Sequence, residues 1–401
     1  MSKKVNRKVP KLRFSQFEGD WKKYKLSDLF SISAGGDIDS NKVKNEPDEI
    51  YKYPIYANAE KEKGLYGYSN EYKIEPNVIT VAGRGVNIGI THVRDHRFYP
   101  IVRLLVLQPK TSLNIYFFEY QINRINICIE STGVPQLTAP TISSYKVSST
   151  SIAEQKKIAS FLEAVDTRLT QLRRKHELLQ TYKRGVMQKL FSQQIRFKCD
   201  RGKPFPDWNS GSFYDCLDEI VDFRGRTPVK LGMEWGGGDI LSLSANNVKN
   251  GYIDFQAECN LASEELYEKW MSGIDVRKGD IIFTMEAPLG NATLIPDSRK
   301  YILSQRVVLF KTRENINNNF LLQLIWSPFF QESLKSLSTG TTAKGINQKS
   351  LKKINIHYPT IEEQEKIADF LTAIDNKLEA IAKQIELTEQ FKKGLLQKMF
   401  V

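Results

Sequence analysis

The chain repeats one long segment of its own sequence. Residues Glu154–Ser192 recur without a gap as Glu363–Val401, and seventeen of the 39 positions are identical. The period is 209 residues, whereas the units of solenoid proteins are about 20–50 residues long. The repeat therefore divides the 401-residue chain into two halves, each made of a larger segment followed by a copy of the repeated one.

Both copies of the repeat carry apolar residues on a seven-residue spacing. These seam residues are Ile158, Leu162, Val165, Leu169, Leu172 and Leu179 in the first copy, and Ile367, Leu371, Ile374, Leu378, Ile381 and Ile385 in the second. A heptad pattern of this length predicts coiled-coil helices rather than ordinary surface helices. A helix of about 40 residues would be about 60 Å long. Two such helices in one chain are expected to pack antiparallel.

The segment before each repeat mixes short β-rich runs with helical patches. Asn77–Ala82 and Gly279–Thr284 are typical of strands, and Asn319–Leu337 is typical of a helix. The two segments begin alike, with Leu12–Phe14 and Ile195–Phe197, but match poorly elsewhere. The predicted fold class is α+β, with two globular domains separated by an antiparallel coiled coil and related as a pseudo-two-fold internal repeat.

The chain is strongly basic. It has 58 Lys and Arg against 46 Asp and Glu, a formal net charge of +12 and a pI near 9.2. Such a balance indicates an anionic partner, most often nucleic acid. No apolar run reaches the roughly 20 residues needed to cross a bilayer, and the basic start lacks the apolar core of a signal peptide. A cytoplasmic protein without a membrane partner is expected.

One glycine-rich loop is a candidate for contact with DNA. In Gly83–Gly89, glycines let the backbone approach a phosphate, Arg84 could bind guanine or phosphate, and Asn87 could pair with adenine. The loops Ser131–Gly133 and Ser338–Gly340 close the two segments in the same way. The further DNA-binding candidates are Arg224, Arg226, Asn246, Asn247, Lys249, Lys344 and Asn347. An ordinary solvated role remains the alternative for each of them.

The sequence shows no pattern typical of a catalytic, metal or cofactor site. It contains neither an Asn-Pro-Pro-aromatic nor an Asp-Pro-Pro-aromatic motif, and no phosphate-binding G-x-x-x-x-G-K-[ST] loop. Its four cysteines include no C-x-x-C pair and are expected to be buried thiols. The chain is therefore predicted to be non-catalytic and to hold no cofactor or metal itself.

The motif Glu-Gln-x-Lys-Ile-Ala-x-Phe-Leu-x-x-x-Asp occurs at Glu154–Asp166 and again at Glu363–Asp375. This arrangement, with each copy closing a module that ends in Ser-Thr-Gly, resembles the specificity (S) subunit of type I restriction–modification systems over the whole chain. The resemblance implies that residues 1–151 and 193–359 are target recognition domains, each of which reads one half of a split DNA site. Residues 152–192 and 360–401 would be spacer helices, and their seam residues are candidates for subunit contacts.

The same resemblance implies the partners. These are double-stranded DNA, two methyltransferase (M) subunits and, through the complex, restriction (R) subunits. S-adenosylmethionine, ATP and Mg would be bound by the partner subunits, and the helices would fix the length of the spacer in the split site. The first copy lacks the family's proline before the helix, present here as Pro359, so Ser151 could serve as the N-cap instead. A self-sufficient DNA-modifying enzyme with an unrecognised motif and a structural coiled-coil protein remain the alternatives.

Overall fold

The chain folds into two compact units. The structure, a computed structural model, describes residues 9–59, 61–125, 127, 136–340 and 344–401. Unit 1 comprises the described residues of Met1–Arg173 together with Gln384–Val401, and unit 2 comprises those of Arg174–Lys383. Each long segment of the sequence therefore forms a unit together with parts of both repeat copies.

Unit 1 is an α+β structure with two four-stranded sheets. Its strands are β1 (Lys22–Lys25), β2 (Phe30–Ala34), β3 (Val43–Lys44), β4 (Tyr53–Tyr56), β5 (Leu65–Ser69), β6 (Val78–Val81), β7 (Thr91–Arg94), β8 (Tyr99–Pro100), β9 (Leu105–Pro109) and β10 (Lys146–Ser149). Its short helices are α1 (Leu26–Leu29), α2 (Ile115–Ile122) and α3 (Ala139–Ser143). The sheet orders are β2-β9-β6-β7 and β3-β5-β4-β8, and β1 pairs with β10. Only the β4–β8 pair among these is parallel.

The long helix α4 (Ile152–Phe191) follows, and its second part belongs to unit 2. The strands of unit 2 are β11 (Asn209–Ser212), β12 (Leu217–Val221), β13 (Ile240–Leu243), β14 (Val248–Lys249), β15 (Tyr252–Ile253), β16 (Asn260–Ala262), β17 (Ile281–Thr284), β18 (Ala292–Leu294), β19 (Tyr301–Leu303), β20 (Val307–Thr312) and β21 (Asn355–Tyr358). Its helices are α5 (Glu264–Met271), α6 (Asn318–Trp326), α7 (Pro328–Leu337) and α8 (Gln348–Leu351), and the chain closes with α9 (Ile361–Met399).

The sheets of unit 2 repeat the plan of unit 1. The main sheet has the order β12-β20-β17-β18, which matches β2-β9-β6-β7, and a smaller sheet has the order β16-β13-β19. In the smaller sheet β13 and β19 run parallel, as β4 and β8 do in unit 1. Both halves of the chain therefore build the same α+β frame, as the repeat predicts.

Within each unit the two long helices run antiparallel. In unit 1, Ile158 and Leu162 near the start of α4 share a core with Leu395 and Met399 near the end of α9. In unit 2 the arrangement is exchanged, since Ile367 and neighbouring residues near the start of α9 share a core with Met187 and Leu190 near the end of α4. Burial of these apolar faces supplies most of the stability of such helices.

The seam residues lie inside this packing. Leu179, Leu378 and Ile385 are half-buried. The buried members are Ile158, Leu162, Val165, Leu169, Leu172, Ile367, Leu371, Ile374 and Ile381. A side chain that is already buried by its own chain offers little surface to another subunit. The role of the seam residues in subunit contacts therefore stays a prediction.

Two equivalent ion pairs join the helices. In unit 1, Asp166 of α4 lies 2.5 Å from Lys392 of α9 and accepts a 2.7 Å hydrogen bond from the Tyr120 hydroxyl. In unit 2 the residues 209 positions later and earlier take the same places: Asp375 lies 2.6 Å from Lys183 and accepts a 2.8 Å hydrogen bond from Gln323. Burial and the neighbouring Asp166 carboxylate raise the pKa of Tyr120, so its hydroxyl stays protonated and can donate.

The glutamate that opens each copy of the repeat is buried and paired. Glu154 is 1% exposed and receives hydrogen bonds of 2.7 and 2.8 Å from Nε and Nη2 of Arg13. Glu363 is 0% exposed and receives bonds of 3.1 and 2.7 Å from the same atoms of Arg196. Both arginines belong to the short segments with which the two halves begin alike. A buried carboxylate needs such a partner, because an unpaired buried charge is very costly.

The glutamine that follows joins each long helix to a second helix. Gln155 Oε1 accepts from the backbone N–H of Asn114, 3.0 Å away, and Gln364 Oε1 accepts from that of Asn317, 2.9 Å away. Asn114 is the N-cap of α2 and Asn317 is the N-cap of α6. The Glu-Gln dipeptide thus fixes the start of each long helix to the unit behind it.

The start of α4 agrees with the alternative cap considered from the sequence. The backbone N–H of Glu154 donates to Ser151 Oγ at 3.3 Å, which is an N-cap contact one residue before the helix begins. The absence of proline at this point therefore leaves the helix start in place.

Replacement of Arg13 with alanine should destabilise unit 1 by about 3 kcal/mol, because it leaves the Glu154 carboxylate buried without its cation. Arg196→Ala should do the same in unit 2. The matched control is Arg174→Ala, whose partner Glu177 is on the same helix face and exposed, and which should cost no more than about 0.5 kcal/mol. The measurement is the midpoint of chemical denaturation, and equal midpoints for Arg13→Ala and Arg174→Ala would contradict the role given to the buried pair.

Candidate nucleic-acid interface

A cleft of about 810 Å³ opens in unit 2 at the carboxyl ends of the parallel strands β13 and β19. Residues 244–246 follow β13, and residues 304–306 follow β19. The remaining wall comes from the loop after β12 and from Lys249, Asn260, Trp270 and the Ala287–Pro288 turn. Strand ends and loops thereby bring together side chains that are far apart in the sequence.

The cleft combines cations, amides and an aromatic wall. Arg226, Lys249 and Arg306 line it, and Glu234 is the carboxylate among its lining residues. Its polar amides and net positive charge suit the base edges and phosphates of nucleic acid. Trp235 packs on the buried Trp270 with ring centroids 5.3 Å apart, so its position is fixed by the core below.

Arg226 is held in place from one side. Its Nη1 donates to the carbonyl oxygen of Trp270 and, at 3.2 Å, to Ser272 Oγ. Its guanidinium also lies 4.2 Å from the ring centroid of Phe223. An arginine held in this way presents its remaining donors at a defined place, which favours specific recognition.

Three of the sequence candidates cluster at this cleft and others do not. Arg226, Asn246 and Lys249 line it, and Asn246 is exposed. Arg224 lies outside the lining and makes a two-pronged ion pair with Asp222, at 2.8 and 2.6 Å. Hydrogen bonding to Asp222 raises the pKa of Arg224.

Two asparagines have structural duties. Asn247 is 1% exposed; its Oδ1 accepts from the N–H and hydroxyl of Ser244, at 3.1 and 3.0 Å. Its burial argues against the predicted base contact, since no free edge faces outward. Asn347 is exposed, but its Oδ1 accepts from the N–H of Ser350 at 2.8 Å and caps α8. Lys344, three residues earlier, is exposed.

The candidate loop of unit 1 is the tip of the β6–β7 hairpin. Arg84 and Gly85 are exposed, Val86 is fully exposed, and Asn87 is half-buried. Gly85 has a φ of +77°, in the left-handed region that glycine adopts without strain. The corresponding tip in unit 2 is the β17–β18 turn, where Gly290 N donates to Thr284 O. In the unit 2 tip Pro288 is exposed, whereas Met285 and Gly290 are buried. The contact of these loops with DNA stays a prediction.

Some predicted features lie outside the described residues, and some cleft residues were missed. Ser131–Gly133 falls outside them, whereas Ser338–Gly340 is described, with Thr339 pairing to Gly345. The sequence reading did not select Trp235, Asn260, Gln305 or Arg306, which line the cleft. The sequence signal that could have identified these cleft residues is the high density of arginine, asparagine and glutamine beside predicted turns.

Within the described ranges, no helix is long and apolar enough to cross a membrane. The same part of the chain contains no group of three or more His, Cys, Asp or Glu side chains that could hold a metal ion. Of the three described cysteines, Cys216 is buried, whereas Cys199 and Cys259 are half-buried.

The long helices expose a second candidate surface. Leu178 and Tyr182 of α4 are 52% and 53% exposed, and Leu387 and Phe391 of α9 are both 54% exposed. Each pair is spaced by four residues, so its two side chains are neighbours on one helix face. The pairs occupy equivalent positions in the repeat, 209 residues apart. We name them the first and the second helix patch.

Asn246 and Asn247 allow a direct separation of surface and structural roles. Asn247→Ala should destabilise unit 2 by about 1–3 kcal/mol, because the buried groups bonded to its side chain lose their partners. Asn246→Ala should leave the denaturation midpoint within error, since its side chain is exposed. An Asn247→Ala variant as stable as the wild type would contradict the structural role given to Asn247. The prediction that this residue contacts DNA would then stand again.

Comparison with known proteins agrees with this architecture. The family model described as the type I restriction modification DNA specificity domain matches residues 18–180 and again residues 213–389. The type I restriction enzyme MjaVIII specificity subunit of Methanocaldococcus jannaschii is 29% identical over 279 residues. That match covers 67% of this chain and 64% of the relative, which is less than two thirds of the relative's length.

Two solved structures share the fold. The S subunit of a type I restriction–modification system from M. genitalium has a TM-score of 0.63 at 16% identity, over 98% of this chain and 99% of that one. A structure concerned with complex assembly and conformational transition of the type I R-M system has a TM-score of 0.53 at 14% identity, over 95% and 97%. On the two family matches, which together cover most of its length, this chain belongs to the family of the type I restriction modification DNA specificity domain and carries two copies of that domain.

Proposed function

We propose that this protein is the sequence-specific DNA-recognition subunit of a type I restriction–modification complex. The observation that carries the proposal is the presence of two copies of the specificity domain, each of which includes the first part of one of the two long helices. Unit 1 would read one half of a split site and unit 2 the other half. The net charge of +12 supports binding to the DNA backbone.

The differences between the units support two different half-sites. Frame contacts such as Arg13–Glu154 and Arg196–Glu363 are equivalent. The loops at the candidate interface differ, with Gly83–Gly89 in unit 1 and the Ala287–Pro288 turn in unit 2. Side chains on loops held by a common frame are the usual way to change specificity without changing the fold.

The chain would act without chemistry of its own. Methyl transfer and cleavage would belong to two methyltransferase subunits and to restriction subunits, which would bind S-adenosylmethionine, ATP and Mg. The long helices would carry the methyltransferase subunits and set the spacer between half-sites. The two exposed helix patches support this assignment, because exposed apolar pairs at equivalent positions suit two copies of one partner.

The proposed function is tested by methylation assays. The chain alone, with S-adenosylmethionine and DNA, should transfer no methyl groups. Together with its methyltransferase subunit it should direct adenine methylation on both strands of one split motif, visible by methylome sequencing. Methyl transfer by the isolated chain would instead favour the self-sufficient enzyme, and DNA binding without any sequence preference would favour the structural coiled-coil protein.

Exchange of residues 193–359 for those of a relative should change one half-site and leave the other half-site and the spacer intact. The donor segment should keep an arginine at position 196 and a glutamine at 323, because these side chains contact Glu363 and Asp375 of α9. It should also have no proline at position 317, because the backbone N–H there donates to Gln364. The readout is the methylated motif. A change in both halves of the motif would be incompatible with separate recognition by the two units.

Substitution of one helix patch should remove one methyltransferase subunit from the complex. Leu178→Ser with Tyr182→Ser, or Leu387→Ser with Phe391→Ser, should lower the mass of the purified complex by one subunit, and all four changes together should abolish assembly. The control is Ile50→Ser with Tyr66→Ser, which removes apolar side chains that are 64% and 60% exposed away from the long helices. Native mass spectrometry measures the stoichiometry, and full assembly of the fourfold variant would exclude the patches as the docking surface.

A further inference from the structure

The same turn precedes an inner strand of the four-stranded main sheet in both units, β9 in unit 1 and β20 in unit 2. In unit 1, Ile101 N donates to Tyr56 O at the end of the parallel β4–β8 pair, at 2.9 Å. In unit 2, Ser304 N donates to Leu243 O at the end of the parallel β13–β19 pair, at 2.8 Å. Two residues further on, the turns carry Arg103 and Arg306, which therefore occupy equivalent positions.

Both arginines have an unusual backbone. Arg103 has a φ of +58° and Arg306 a φ of +70°, in the left-handed region that disfavours residues with a side chain. Glycine would adopt this conformation more easily, yet both units have arginine there. Both side chains are exposed, and Arg306 lines the cleft of unit 2. A guanidinium kept at a strained and open position in both units points to a function of the side chain.

The β6–β7 and β17–β18 tips contact these turns through equivalent residues. A Cβ on Gly83 would lie 2.9 Å from the Arg103 carbonyl oxygen, and Met285 N donates to the Arg306 carbonyl oxygen at 2.8 Å. The next residue is Arg84 in unit 1 and Glu286 in unit 2. Their equivalence is supported by the bridges that they form, Arg84 with Gln136 and Glu286 with Gly345.

The charge beside the turn is therefore opposite in the two units. In unit 1 the turn carries a cation, and the adjacent tip carries another. In unit 2, Arg306 Nε lies 3.5 Å from Glu286 Oε1, and both side chains are half exposed. A carboxylate at this position weakens binding of Arg306 to phosphate and can itself accept a hydrogen bond from the amino group of cytosine.

We infer that Arg103 and Arg306 contact DNA at equivalent positions of the two units, and that Arg84 or Glu286 beside them sets how each arginine is used. Unit 1 would present two cations to phosphate or guanine. Unit 2 would present one guanidinium whose orientation is limited by Glu286. The inference rests on the proposed function and adds residues that the sequence alone did not select.

The structure supplies matched controls for both arginines. Arg97 precedes β8 and Arg103 follows it; Arg299 precedes β19 and Arg306 follows it. Arg97 and Arg299 are exposed and paired with Glu75 and Asp297. Alanine variants of Arg97 and Arg299 therefore test whether the loss of any exposed arginine near these strands weakens DNA binding.

The experiment measures the affinity for DNA of the complex between this chain and its methyltransferase subunit, over a range of salt concentrations. One DNA contains the motif that the complex methylates, and the other is unrelated in sequence. Arg103→Ala and Arg306→Ala should each weaken binding about 5- to 100-fold and, where the contact is to phosphate, lower the salt slope by about one unit. Arg103→Gly and Arg306→Gly remove the side chain and also relieve the backbone strain. They should weaken binding as much as the alanine variants do. Arg97→Ala and Arg299→Ala should leave both quantities unchanged.

Glu286→Gln should strengthen binding to unrelated DNA and alter only the second half-site in the methylome, because it frees Arg306 from the carboxylate. If the alanine and glycine variants of Arg103 and Arg306 keep wild-type affinity, salt slope and motif, the inference is wrong. The proposed function would still stand in that case, since it fails when the wild-type complex shows no preferred site or when the isolated chain transfers methyl groups by itself. An equal loss of affinity in the control variants would also overturn the inference, because it would show a general effect of surface charge.

Discussion

The structure depends on one buried dipeptide, the Glu-Gln pair that opens each long helix. Glu154 and Glu363 are removed from water and compensated by Arg13 and Arg196. The following glutamines bind the N-caps of α2 and α6. Buried polar groups of this kind fix one geometry, because every alternative leaves a charge or an amide without a partner. They fix where each long helix starts on its unit.

A strict frame leaves the loops free to differ. Contacts between Asp166, Lys392 and Tyr120 recur as contacts between Asp375, Lys183 and Gln323, although the aromatic hydroxyl is replaced by an amide. The frame tolerates this exchange because each group donates one hydrogen bond to the aspartate at the equivalent position of its unit. The residues beside the proposed recognition turns differ in charge: Arg84 in unit 1 occupies the position that Glu286 occupies in unit 2. The two copies of the specificity domain in this chain therefore share their supporting contacts and differ at the proposed recognition turns.

The candidate interface could be predicted only in part. Arginine, asparagine and lysine next to turns pointed to Arg226, Asn246 and Lys249, which line the cleft. The same rule selected Asn247 and Asn347, whose side chains bond to their own backbone neighbourhood. Adjacent asparagines look alike in a sequence, but one faces solvent and the other the core. Side-chain direction in an irregular loop depends on contacts with distant segments, so local composition could not separate them.

Sequence alone determined the two long helices, the division into two halves and the α+β character of each half. These features follow from periodicity and from a repeat, which are properties of residues near one another along the chain. Only the tertiary structure decided that charged residues of the repeat are buried, that the seam is enclosed by its own chain, and that Trp235, Gln305 and Arg306 share one cleft. The physical reason is distance along the chain: Arg13 and Glu154 are 141 positions apart, and no local pattern records which distant side chain will satisfy a buried charge.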